Sequence, residues 1–171
     1  MSTAGGGAPP AARRRVLRAQ LPLLDRLLDA DPGASEPPPP TASEALERLH
    51  SAVRRDLESL LNARRRRRPL PPLLGELPSS LVNYGIPDPA AGAYALPEMR
   101  LALAAEVEAT IRRFEPRLAK VSAALAGETD DMGGTLRLKI DAVLRADPVP
   151  EPVSFETLLE PVTRDVTVRE T

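Results

Sequence analysis

The chain has one histidine, no cysteine and 24 acidic residues, so any chemistry must rest on carboxylates, guanidiniums and hydroxyls. His50 lies beside the stripe Leu46, Leu49 and Val53, and no serine or acid is tied to it by a motif. That pattern reads as a helix-surface histidine and argues against nucleophilic catalysis. One His without Cys also argues against zinc. Asp130 and Asp131 could hold a hard cation, but adjacent carboxylates in a Gly-rich turn are usually just solvated. Gly5, Gly6 and Gly7 fall in the first dozen residues, not in a phosphate-cradling strand–loop–helix context. Glu115 with Asp130 or Asp131 would supply the two carboxylates of a glycosidase. A chain with so many acids offers such pairs by chance. No catalytic residue, metal or cofactor is therefore assigned, and the residues favour a binding or assembly module.

Two charges still call for an account. They flank the proline in Phe114-Glu115-Pro116-Arg117-Leu118. Pro116 itself has a structural reason, because it cannot continue a helix and biases Glu115 away from helical angles. Glu115 and Arg117 have none, and a helix–strand corner can aim side chains at a partner. The other loud feature is Arg64 to Arg68, five arginines in a row. Phosphate, a membrane surface and an acidic protein are its functional readings. The bland one is a solvated helix end, where cations complement the helix dipole. Nucleic-acid binding usually brings a basic domain and stacking aromatics. Here the net charge is -1 and there are only two Phe, two Tyr and no Trp.

The elements that must position these residues follow from periodicity. Residues 1–12 read as a disordered Gly/Ala/Pro tail. Residues 13–30 hold a short leader helix with Leu24, Leu27 and Leu28 on one side, followed by a stiff proline-rich spacer at 31–40. Such a leucine face either docks on its own domain, the favoured reading, or is offered to a partner groove. Residues 41–171 form the main domain. Its first helix starts at a Thr41/Glu44 capping box, carries Leu46, Leu49, Val53, Leu57 and Leu60, and runs to about Asn62. Residues 69–97 are a proline-rich loop in which Leu81, Val82, Tyr84 and Ile86 are expected to be buried. A second helix opens at Pro97 with Met99, Leu103, Val107, Ile111 and Phe114 inward.

Strand patterns follow. Arg117 to Leu125 puts Ala119, Val121, Ala123 and Leu125 on one face. Thr135 to Arg145 alternates with Leu136, Leu138, Ile140, Ala142 and Leu144 inward. Val153 to Leu159 and Asp165 to Glu170 complete the set. The fold class is α+β: N-terminal helices followed by a small antiparallel sheet.

Charge is uneven. Residues 41–68 carry eight arginines against four acids, whereas residues 97–171 carry ten bases against fourteen acids. A two-faced molecule of this kind suits a packed assembly. No apolar run reaches the ~20 residues of a membrane helix. The opening residues lack the apolar core of a secretory signal. A cytoplasmic location is expected.

The segments LLNARRR (Leu60 to Arg66), SSLVNYGIPD (Ser79 to Asp88) and FEPRL (Phe114 to Leu118) occur in one order. With PLLDRLLD (Pro22 to Asp29) and PEPVSFET (Pro150 to Thr157), they resemble the TssE family of type VI secretion baseplate subunits. That family is similar to wedge proteins of contractile phage tails. The likeness covers about residues 20–171. The spacer and arginine run look more extreme than the family's usual pattern.

The resemblance implies a fold like the sheath subunit's interlocking domain. It implies a role joining baseplate to the first sheath ring, through strand pairing and through Glu115, Pro116 and Arg117. Strands 135–145 and 153–159 are the expected strand-accepting edge. Arg117 is expected either to meet a partner carboxylate or to pair with an acid of its own domain. Further partner-binding candidates are Arg64, Arg65 and Arg66, and Leu24, Leu27 and Leu28. Implied partners are other baseplate subunits (TssF-, TssG- and TssK-like) and sheath proteins (TssB- and TssC-like), with no nucleic acid and no membrane insertion. The family has also carried a lysozyme-like label, which leaves peptidoglycan hydrolysis by paired carboxylates as the alternative.

Overall fold

In the computed structural model, Thr41 opens the first long helix, α2 (Ala42–Asn62), with a reciprocal cap. The Glu44 N–H donates to Thr41 Oγ1 at 3.3 Å, and the Thr41 N–H donates to a Glu44 carboxylate oxygen at 2.7 Å. Two orphan helix donors are satisfied at once, which fixes where the helix begins. Residues 23–27, 40–66, 68–87, 96–126, 135–146, 149–160 and 165–171 are described. The tail at 1–12, most of the spacer, Leu28, Arg67, Asp130 and Asp131 lie outside them.

A five-residue helix α1 (Leu23–Leu27) precedes α2. After two single 3-10 turns (Leu77–Ser79 and Leu81–Asn83) comes α3 (Pro97–Phe114), then β1 (Leu118–Leu125), β2 (Leu136–Leu144), β3 (Glu151–Leu159) and β4 (Val166–Glu170). The strands form one antiparallel sheet in the order β1-β2-β3-β4. This is an α+β fold.

One face of the sheet is dry. Leu136, Leu138, Ile140, Ala142 and Leu144 of β2 and Val153, Phe155, Thr157 and Leu159 of β3 are all buried. Helix α2 packs near β4 and α3 near β1. Their Leu49, Val53, Leu57 and Leu60, and Leu103, Val107 and Ile111, close the core. Each large aliphatic side chain buried there contributes about 1.5–3 kcal/mol. The opposite face is wet, with Arg137, Lys139 and Asp141 exposed.

Several sequence expectations change. Leu81 is 86% exposed and Val82 is also exposed, while Ile86 is buried. The 3-10 turn that Ser80 caps rolls those two side chains outward, so only the end of the segment reaches the core. Met99 is exposed because the first turn of α3 lies off the core. In β1 the buried residues are Leu118 and Val121, with Ala119 only half-buried. A register shift between Ala119 and Ser122, with Lys120 at φ 50°, inserts one residue and changes which face looks inward. Strand β3 starts at Glu151, so Pro152 lies inside it, beyond the reach of β4, which pairs only with Phe155–Leu159. Strands 135–145 and 153–159 are the two central strands, each already paired on both sides. They are not free edges.

Candidate functional site

The corner after α3 is built by its own backbone. The Glu115 N–H closes the helix on Ile111 O at 2.8 Å, Pro116 offers no donor, and the Leu118 N–H returns to Glu115 O at 3.1 Å. The Arg145 N–H then donates to Arg117 O at 2.8 Å, pinning the corner to the end of β2. This tight path brings the Arg117 side chain back over Glu115. Arg117 Nε donates to Glu115 Oε1 at 2.6 Å, and Nη2 donates to Glu115 Oε2. The same Nη2 reaches Asp56 Oδ2 on α2 at 2.6 Å.

Glu115 is thus a buried carboxylate, its side chain 5% exposed, held bidentately by a guanidinium. Hydrogen bonding to Glu115 and then to Asp56 outweighs burial and holds the guanidinium firmly protonated. The sequence left two partners open for Arg117; the structure puts two acids of its own domain on it. Among the described residues, Arg117 Nη1 has no bonded partner, and the side chain is 24% exposed.

The charges extend further. Arg55 donates to Asp56 Oδ1 at 3.1 Å and to Asp25 Oδ1 of α1 at 2.8 Å. Asp25, Arg55, Asp56, Arg117 and Glu115 therefore form one chain of alternating sign, from the leader helix to the corner. Asp25 anchors α1 while Leu23, Leu24 and Leu27 are 62–71% exposed. The leucines are not seated on their own domain in this arrangement.

An open cavity of about 350 Å³ lies beside the corner, lined by Asp56, Leu60, Tyr84, Phe114, Glu115, Pro116 and Arg117. Tyr84 stands edge-on to Phe114, with ring centroids 5.3 Å apart. Burial, then the Asp56 and Glu115 charges, raise the Tyr84 phenol above its usual value, so it stays a neutral hydroxyl. The three segments singled out in the sequence meet here: Leu60 from the first, Tyr84 from the second and Phe114 to Arg117 from the third. Sequence reasoning missed Asp56. On the polar side of α2 nothing distinguishes it from its neighbours.

The arginine run is divided in its fate. Helix α2 ends at Asn62, so the run follows the helix rather than extending it. Arg64 Nη1 donates to Leu61 O at 2.7 Å, which caps that end. Arg65 lies 2.5 Å from Glu106 of α3. Backbone bonds join Ile86 N to Ala63 O and Arg65 N to Ile86 O, at 3.0 and 2.9 Å. Gly85, at φ 101°, permits this contact; a Cβ there would lie 2.3 Å from Ala63 O. Arg66 and Arg68 are exposed.

His50 bridges elements. Its ring nitrogens lie 2.5 Å from Glu170 of β4 and 3.2 Å from Glu151 of β3. Burial lowers its pKa, but hydrogen bonds and charge from the two carboxylates outweigh it, and the net shift is upward. Among the described residues, no group of three or more His, Asp or Glu is placed to hold a metal ion. No helix among them is long and apolar enough to cross a membrane.

The family model described as baseplate wedge protein gp25 matches residues 47–149. That range begins inside α2, ends just before β3, and contains the whole corner. No curated protein and no solved structure matches the chain.

Proposed function

The chain belongs to the gp25 baseplate wedge family, and from that premise we propose that it is the wedge subunit of a type VI secretion baseplate that starts the sheath. The coarse role, a structural part of a phage-tail-like baseplate in contact with other baseplate components, follows from the family. The finer reading adds the first sheath ring, seated by strand pairing and by the Glu115-Pro116-Arg117 corner. The observation that supports it is the preformed corner: a guanidinium fixed by two carboxylates, with Nη1 left over, at the mouth of an open cavity. Because both neighbouring acids already neutralise Arg117, its partner group is a neutral acceptor such as a backbone carbonyl, not a carboxylate. TssF-, TssG- and TssK-like subunits are the baseplate neighbours, and TssB- and TssC-like proteins the sheath.

Peptidoglycan hydrolysis gains nothing from this geometry. Both Glu115 oxygens receive Arg117 donors, which leaves Glu115 poorly placed to protonate a glycosidic oxygen.

The test is recovery of the tagged full chain from cells that carry the machine, with bound proteins identified by mass spectrometry. Wild type is expected to bring down baseplate and sheath proteins. Arg117→Lys keeps the charge but loses the planar fork, and is expected to melt as a folded protein while losing sheath alone. If wild type brings down neither group, the reading is wrong.

A further inference from the structure

Both outer edges of the sheet are occupied, and by the same device. On β1 the Ala123 N–H donates to Glu108 Oε2 at 3.1 Å, and Arg112 Nη2 donates to Val121 O at 2.7 Å. Glu108 and Arg112 lie one turn apart on α3 and pair with each other at 2.7 Å. On β4 the Val166 N–H donates to Asn62 Oδ1, and Asn62 Nδ2 donates to Val166 O, both at 2.9 Å. The Val168 N–H reaches Glu58 at 3.4 Å. Side chains four residues apart on a helix thus stand in for the backbone of a missing strand. An edge left bare would be a template for pairing.

We infer that Glu108 and Arg112 form a removable plug, and that β1 is the edge that accepts an extended segment of the neighbouring sheath subunit. This rests on the strand-pairing reading above and adds to it which edge is used and what keeps it closed. Two observations favour β1 over β4. The β1 plug is an ion pair, Arg112 being 58% and Glu108 25% exposed, and swinging out returns both charges to water, whereas Asn62 of the β4 plug is held by a third bond, to Glu58 O at 2.9 Å. Finally, the bulge at Lys120 ends the regular edge beside Val121 and defines where an added strand must stop.

Ala123→Pro tests the edge. It removes an N–H that points away from β2 and so spares the β1–β2 ladder. The tagged full chain carrying it should lose sheath proteins about tenfold relative to wild type, because an edge bond is left unmade, and should keep its baseplate neighbours and a cooperative melt. The double variant Glu108→Ala/Arg112→Ala tests the plug. Its Ala123 amide should exchange about tenfold faster in the purified chain, with sheath recovery at or above wild type.

Undiminished sheath on Ala123→Pro, unchanged exchange in the double variant, or loss of sheath by the double variant each overturns the proposal. If Ala123→Pro does not fold, the two readouts of the double variant decide. If Ala123→Pro keeps sheath while the double variant dimerises, the edge guards against a second copy of this chain instead, and the proposal falls. If wild type recovers baseplate proteins but no sheath, the strand-pairing reading fails first, and this inference with it.

Discussion

The corner at Glu115–Arg117 and the run at Arg64–Arg68 both place positive charge beside a helix end, yet the fold uses them differently. At the corner a guanidinium is held between two carboxylates, one of them nearly buried. Along the run, the four described arginines share out their tasks. Arg64 caps a helix, Arg65 pairs with α3, and Arg66 and Arg68 stay in solvent. The difference teaches that the count of charges says little about their value. Burial of the partner decides it, because an exposed pair competes with water and a buried one does not.

The largest expected effect is therefore at the corner. Arg117→Ala strands the Glu115 carboxylate without its partner and should lower stability by about 3 kcal/mol in urea unfolding. A loss as small as that of an exposed pair would erase the contrast. Next comes Gly85→Ala. It drives a Cβ into the Ala63 carbonyl at positive φ and should destabilise by about 2 kcal/mol. Thermal melting would show whether the strut between Ile86 and the arginine run matters as argued.

His50 sharpens the comparison differently, since its bridge to Glu151 and Glu170 can be switched off while Arg117 stays charged. Its folded pKa is raised, so the bridge contributes fully below its ordinary value of 6.5 and is lost as pH rises through the raised value. The stability gap between wild type and His50→Gln should shrink as pH rises above 6.5 and through the raised folded value. A gap that widens instead would mean the ring is held neutral.

The smallest effects belong to the run itself. Arg65→Ala should cost about 0.5 kcal/mol and less in high salt. Arg66→Ala and Arg68→Ala should fall within about 0.5 kcal/mol of wild type in the same unfolding assay.

Much of the fold was legible locally. The capping box of α2, the stop at Pro116 and the alternation of β2 each depend on residues within a few positions of one another, and each appears where the pattern puts it. The site was legible only as three separate segments. That Leu60, Tyr84 and Arg117 line one cavity needs the chain to close on itself. The exposure of Leu81 and Val82 was not legible either, since a polar cap at Ser80 outweighs two apolar side chains there.

By itself, then, the sequence determined the element types, the inward residues of the central strands and the place of the charged corner. Periodicity and proline act through adjacent backbone, and no distant partner can revise them cheaply. The tertiary structure alone decided which strands became edges, that helix side chains closed those edges, that a bulge rephased β1, and that Asp56 joined Arg117 across 61 positions. Those outcomes depend on which surfaces meet when helices pack on a sheet, and residues so far apart carry no local signal of their meeting.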